Sequence, residues 1–526
     1  MIRNRLTPKP VVAVFLAIAC CLNLACEEQP VQQTQQAVKV HSVKLIVPPE
    51  ARALFVSALE RLNAQNIPLS NGHVLRATST TFDDLSALEK IGTMENQTHL
   101  WVAPFTALAA GIKRPVQSDT SITDCSSLMS SKLGVIYRSV DEFSLPAPGI
   151  NPSLESLVFP SAESAQRAPY LIAGSPRFTS AGLMTALAVA SLGGSTPLPN
   201  LTPAVIDRNI SRIKATQGMV RNYYVSDTEP LEWLDNREGG EPLAVISTEQ
   251  TLSAHKLYKS SSTLTFKPLS SPTAVIDYPL CSVVSKGDSV QDTEASIMVR
   301  KFLVGPEFRS LLTSAGFNPP LASSESAGAE VGATARELIK KWAELRRPSL
   351  TVFVVDASIK MDRSSLETIR REIKLFIDNR PSQSDAVAII GASSNPETLS
   401  EPSTNVELLN IVLARLTTVG GNAIRDGIQT AFTLFSDLST QNFRRSVVVF
   451  TADKDTSSQT SAAQLKNRAS QLVGRKNVDL FVIGLGASED NFGDLPATIR
   501  AVGGTFSLAT AASLPSQFFP IARRAQ

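Results

Sequence analysis

Apolar residues in this chain fall into short strand-like runs separated by stretches with helical spacing, and the rhythm repeats for most of its length. Val43 opens the run Val-Lys-Leu-Ile-Val, a strand. Pro48-Pro49-Glu50 then makes a turn with an acid at a helix start, and residues 51–64 carry apolar positions at helical spacing. Further strands are expected at 99–103, 132–137, 244–246 and 280–284, with helices at 182–192 and 296–302. Residues 321–333 are small and polar and read as a linker. After a helix at 336–346 comes a regular alternation: strands at 350–355, 386–390, 446–450 and 479–483, and helices at 365–378, 406–416, 423–436, 462–473 and 514–523. Strands made of continuous Val, Phe and Ile are buried on both faces, so this second sheet is predicted to be parallel and covered by helices on both sides. The fold class is α/β throughout, and no internal repeat is visible.

The first residues break the rhythm. Arg3, Arg5 and Lys9 precede an uncharged run at 11–25, and the first acids are Glu27 and Glu28. That is the layout of a secretory signal peptide, too short in its apolar part for a membrane span of about 20 residues. Cys20, Cys21 and Cys26 end it, which suggests a lipobox; Cys26 is the expected lipidation site because a polar, Gln-rich stretch follows at once. An ordinary cleaved leader with incidental cysteines is the alternative. The expected organisation is leader 1–26, tether 27–42, first domain 43–320, linker and connecting helix 321–347, second domain 348–526. The expected location is outside the cytoplasm, lipid-anchored to a bacterial membrane. Glu27 gives no Asp retention signal, so in a cell with two membranes the outer one, facing the periplasm, is expected.

Composition adds mainly exclusions. About 500 residues beyond the leader need two or three domains. A formal net charge of +2 gives no nucleic-acid footprint. Outside the leader only Cys125 and Cys281 remain, and an exported compartment permits a bridge, with two buried free thiols the equal alternative. There is no Gly-x-Ser-x-Gly elbow and no phosphate-binding Gly-x-x-x-x-Gly-Lys-Ser/Thr loop. The histidines are His41, His73, His99 and His255, so a histidine triad or zinc site inside the second domain is excluded. No catalytic residue, metal ligand set or cofactor site is identified. A two-carboxylate hydrolase stays open without any residue to select it.

The second domain carries Asp356-Ala-Ser358-Ile-Lys360 after its first strand, Gly420-Gly421-Asn422-Ala423 before a helix, and Thr451-Ala452-Asp453-Lys454-Asp455 at a later strand end. In these motifs it resembles the von Willebrand factor A family, which implies a doubly wound, mostly parallel, Rossmann-like sheet and a role in protein recognition. Members with a working metal-ion-dependent adhesion site present Asp-x-Ser-x-Ser, a Thr after the paired glycines and a distant Asp, oxygens suited to a hard divalent cation. Here Asp356 and Ser358 match, while Lys360, Asn422 and Ala452 depart. Asp453 is the nearest replacement acid. The site is expected to be degenerate and metal-free, with Lys360 either paired with Asp356 or pointing to solvent.

In the first domain, Leu100-Trp101-Val-Ala-Pro104, Pro176-Arg-Phe-Thr179-Ser180-Ala-Gly182, Ala244-Val-Ile-Ser-Thr248-Glu249-Gln250, Asp277-Tyr278-Pro279-Leu280 and Phe302-Leu-Val-Gly-Pro306 follow one another. Together they resemble bacterial extracellular solute-binding proteins, which implies a two-lobed, periplasmic-binding-protein-like module with a cleft. Its candidate lining is Trp101, Thr179, Ser180, Glu249 and Tyr278. Thr179 and Ser180 equally fit plain helix capping, and Trp101 and Tyr278 fit core packing. Glu50 stands where a helix start would otherwise favour an anion, which disfavours oxyanion ligands. The implied function is a membrane-anchored binding protein with a protein partner, and with room for a small-molecule ligand; the alternative is a solute receptor for a transporter.

Overall fold

A computed structural model describes residues 39–525 except 83–86, 88–90, 92–97, 105–119, 146–148, 162–167, 192–200, 227, 236–241, 271–274, 322–330, 437–442 and 474–477. The leader, Cys26, the tether up to residue 38 and most of the expected linker lie outside the described residues.

The first module is built on β1 (Val40–Val47), β2 (Val74–Thr81), β3 (Leu100–Val102), β4 (Thr120–Arg138), β5 (Tyr170–Gly174), β6 (Val220–Tyr224), β7 (Leu243–Thr248), β8 (Leu264–Pro268) and β9 (Val275–Ser285). Their order is β2-β1-β3-β9-β4-β7-β5-β6, with β8 paired to β4. β4 is the joint. Its residues 120–132 run antiparallel to β9, and residues 133–138 run antiparallel to β7 and β8, so one strand passes through two half-sheets and makes a two-lobed module. Only 132–137 of its 19 residues stand out as a strand in the sequence. The rest, Thr-Ser-Ile-Thr-Asp-Cys-Ser-Ser, is too polar to show a buried pattern and is interrupted by register shifts.

The connecting helix Val331–Leu345 starts inside the stretch expected to be linker and packs on helices Ser180–Ser191, Pro203–Arg208 and Ile210–Met219 of the first module. It delivers the chain to the second sheet: β10 (Ser349–Asp356), β11 (Ala386–Ala392), β12 (Pro396–Ser403), β13 (Arg444–Thr451), β14 (Val478–Leu485) and β15 (Thr505–Ala509), ordered β12-β11-β10-β13-β14-β15. Every residue of β10 is buried, as expected for a central strand covered on both faces. Phe353 on one face packs against Phe376, Phe450 and Phe518, with ring centroids 5.1–6.3 Å away. The helix Arg363–Asp378 starts at Asp362, whose carboxylate accepts from Ser365 N at 2.9 Å; the Ser365 and Ser364 donors hold its pKa at about 2. The sheet is mostly parallel, as expected, with the one edge strand β12 antiparallel to β11. Its Pro396 and Pro402 lack N–H groups, and an edge strand is where a sheet tolerates them.

Candidate functional site

The carboxyl ends of β10 and β13 enclose a crevice with Asp356 at its floor, fully buried. Asp356 Oδ1 accepts from Ser358 N at 2.9 Å. Its Oδ2 accepts from Ala452 N at 2.9 Å, Asn422 Nδ2 at 3.1 Å and Thr451 Oγ1 at 3.4 Å. Burial raises the pKa of this carboxyl, and the surrounding donors pull against that rise. Asn422 is carried in by the paired glycines. Gly420 adopts φ +71°, and a Cβ there would stand 2.4 Å from Ser394 Oγ, so both conformation and space call for glycine. The Asn422 carboxamide also donates to Asp453 O at 3.0 Å and Thr451 Oγ1 at 3.2 Å.

Of the five residues expected here, Asp356, Ser358 and Asn422 meet in the crevice. Asp453 contributes its carbonyl oxygen, while its carboxylate accepts from the Lys454 N–H at 2.8 Å. Lys360 is exposed and forms no ion pair among the described residues, so the solvent-facing alternative holds and Asn422, not Lys360, answers Asp356. Thr451 belongs to the strand-end motif but carried no expected role; here its hydroxyl reaches Asp356 and Asp453 O. The residues are a poor fit for a divalent cation: Asn422 turns an N–H toward Asp356 where the adhesion-site pattern has a hydroxyl, and Ala452 has no side-chain oxygen. Above the crevice, Ile359 N donates to Gly420 O and Val419 N to Ala357 O, which fixes two loops side by side. Ile359 is 72% and Val419 61% exposed on that rim.

In the first module two of the expected cleft residues, Ser180 and Tyr278, meet at Glu50, which the sequence had marked for its charge. Glu50 opens the first helical turn of one lobe, and its half-buried carboxylate accepts from Tyr278 Oη at 3.0 Å and from the Ser180 hydroxyl, at the first residue of the Ser180–Ser191 helix of the other lobe. Gln250 Nε2 donates to Glu50 O at 3.4 Å. Burial raises the Glu50 pKa despite these bonds. Gly182 lets the helix start approach β5; a Cβ there would lie 2.3 Å from Gly174 O. Thr179 is a cap, accepting from Gly182 N at 3.0 Å. Tyr278 is fully buried, as is Trp101, which lies on β3 opposite Cys281 and lines no cleft. Glu249 stands at the next helix start, bonded by Asn318 Nδ2 at 3.3 Å. Cys125 and Cys281 are bridged across β4 and β9.

The structure also assembles a group that the scattered histidines did not announce. His41 Nε2 and His99 Nε2 lie 3.0 and 3.3 Å from Asp292 Oδ1. His99 Nδ1 accepts from Lys44 N, which assigns the ring proton to the nitrogen facing Asp292. Among the described residues, no group of three or more His, Cys, Asp or Glu is arranged to hold a metal ion, and no helix is long and apolar enough to cross a membrane.

Comparison with known proteins bears on the second domain directly: the von Willebrand factor type A domain family matches residues 351–511. Comparison with curated proteins gives no match. Among solved structures, a von Willebrand factor type A protein from Catenulispora acidiphila is 18% identical over 34% of this chain and 43% of its own, less than half of that protein, with a TM-score of 0.30. BatB from Bacteroides thetaiotaomicron is 14% identical over 33% of this chain and 97% of its own, TM-score 0.27. A periplasmic thiamin binding protein is 14% identical over 59% of this chain and 99% of its own, TM-score 0.40. Residues 351–511 are a von Willebrand factor A domain, and the two-lobed α/β module precedes it in the same chain.

Proposed function

We propose that this is a non-catalytic, extracytoplasmic binding protein, held to a bacterial membrane by a lipid on Cys26, whose von Willebrand factor A domain docks a protein partner at the carboxyl end of its sheet. The rim of the crevice carries the reading. Ile359 and Val419 are large, apolar and 72% and 61% exposed, on loops locked to each other by backbone bonds, with exposed Lys360 next to Ile359 in the chain. Apolar side chains presented on loops of a rigid scaffold are the usual anchors of a partner. Lys360 offers a partner's carboxylate an ammonium directly, the part played by a divalent ion in adhesion sites that hold one. Glu50, bonded across the lobes, supports a scaffold role for the first module over delivery of an anionic solute.

A photo-crosslinking residue at Val419 in cells tests the docking. The same protein should be captured with and without chelator and lost with Lys360→Glu. Capture that ignores Lys360→Glu, or that chelation abolishes, sinks the reading. The anchor is tested separately by mass spectrometry of the mature N-terminus, where an unmodified first residue beyond Cys26 would end it.

A further inference from the structure

Among the described residues, five of the most exposed large apolar side chains belong to one end of the lobe that carries β5, β6, β7 and β8: Val140, Phe143, Ile150, Leu257 and Tyr258, 62–85% exposed. Hydrogen bonds bring their loops together. Ser139 opens the short helix Ser139–Ser144 after β4; its Oγ donates to Thr263 O at 3.0 Å and lies 2.9 Å from Thr265 Oγ1 of β8. Thr263 follows a turn closed by Ser262 N on Lys259 O, and Leu257 and Tyr258 end the helix Glu249–Tyr258 just before that turn. The Gly149 N–H reaches the Glu142 carboxylate, which brings the loop of Ile150 against that of Phe143. The acids of this tip are neutralised in place. Asp141 is buried on Arg138 at 2.8 Å, and Glu142 accepts from Lys267 at 2.6 Å. Lys256, beside Leu257, is exposed and forms no ion pair among the described residues.

We infer that this tip seats on the surface of an anionic bilayer, with Phe143, Leu257 and Tyr258 dipping below the headgroups and Lys256 meeting lipid phosphates. A contiguous apolar surface marks a site of interaction, and here its form selects the occupant. The side chains stand out singly from separate loops. A protein partner has to pack closely around such anchors, whereas fluid acyl chains fill the space between them. Tyr258 suits the boundary, its ring in the apolar layer and its hydroxyl among the headgroups. The long apolar stem of Lys256 lets its ammonium reach a phosphate while Leu257 is submerged. Between the apolar side chains lie exposed Ser139, Ser260, Ser261 and Thr263, all uncharged, so no unpaired acid opposes an anionic surface. The lipid proposed on Cys26 would hold the module beside such a surface, and the choice of a bilayer over a protein rests on that reading as well as on the charge.

The test uses the full-length protein in vesicles of phosphatidylcholine and phosphatidylglycerol that carry a photoactivatable phospholipid. After irradiation, peptide mass spectrometry should find lipid adducts on the segments holding Phe143 and Leu257–Tyr258, about 10-fold above those on the segment holding Ile359. Phe143→Ser, and Leu257→Ser with Tyr258→Ser, should each lower the tip adducts about 10-fold. Lys256→Glu should lower them about 5-fold in these vesicles and leave them unchanged in phosphatidylcholine alone. Because all four side chains are exposed, the variants are expected to keep the parent melting temperature, which separates lost insertion from lost folding. The N-terminal mass of the same sample reads the anchor independently: tip adducts on a chain without lipid would keep this inference and sink the anchor. A lipidated chain without tip adducts overturns this inference alone. It is likewise overturned if the adducts ignore the substitutions, or if crosslinks between the tips of two copies take their place.

Discussion

The two halves of this protein each enclose a carboxylate, Asp356 at a strand end and Glu50 at a helix start, and they neutralise it in opposite ways. Asp356 is answered locally, by N–H and O–H donors of one domain that converge at strand ends; it is fully buried and surrounded. Glu50 is answered by Tyr278 from β9 of its own half-sheet and, across to the other lobe, by Ser180, and it remains half-buried. The first arrangement stabilises a single domain. The second ties two bodies that could otherwise separate. An enclosed carboxylate therefore carries different information according to whether its donors belong to the same body.

Four experiments press on this contrast. The largest effect is expected from the bridge that only the first module has. On the chain-entropy model, opening the Cys125–Cys281 link across a separation of 156 residues removes about 5 kcal/mol. Reductant, or the paired Cys→Ser variant, should lower one unfolding transition and spare that of the von Willebrand factor A domain; a common loss would show that the halves unfold as one. Next is Asn422→Leu, which strips donors from buried Asp356 and should cost about 3 kcal/mol in the second domain alone. An unchanged denaturant midpoint would mean that Ser358 and Ala452 suffice.

Third comes Glu50→Gln, read against pH. Because the folded pKa of Glu50 is raised, its favourable contribution is complete below the unfolded value of 4.5 and is lost as pH rises through the folded value. The stability of Glu50→Gln relative to the parent should therefore improve from pH 4.5 to pH 8; a difference that is flat or opposite in sign would show that Glu50 is solvated rather than enclosed. The smallest expected effect is that of metal. Titrating Mg²⁺ or Mn²⁺ into the intact protein should give no heat in the micromolar range, whereas micromolar affinity lost on Asp356→Ala would overturn the metal-free description of the crevice.

Much of the second domain could be read in advance because β10 and β13 carry the apolar runs Val352–Val355 and Val447–Phe450, and each leads to a recognisable loop. β12 could not, since Pro396 and Pro402 disguise an edge strand as a turn, and β15 is short. The first module was harder. The polar half of β4 pairs with β9 about 150 residues away in sequence, a register that no local pattern encodes. The same distance problem governs the sites: Asp356, Ser358 and Asn422 announce themselves by motif, whereas the meeting of Glu50 with Tyr278 spans 228 positions and that of His41 with Asp292 spans the module. Trp101 and Tyr278 stayed open between cleft and core in the sequence, because an aromatic on a strand looks the same whether it faces one or the other; both are buried.

β1 has one further consequence if the chain is tethered through the residues before it. It is an interior strand, flanked by β2 in parallel register from Val40↔Val74 to Val47↔Thr81 and by β3 on its other side. A pull on Val40 acts along the strand, so the hydrogen bonds to β2 share the load in shear instead of parting one after another. The disulfide lies on other strands of the same sheet and carries none of that first load. Drag on a docked partner would thus be met first by the β1–β2 ladder, and the module would resist it as a mechanical clamp whose lifetime under force is set by its rate of unfolding.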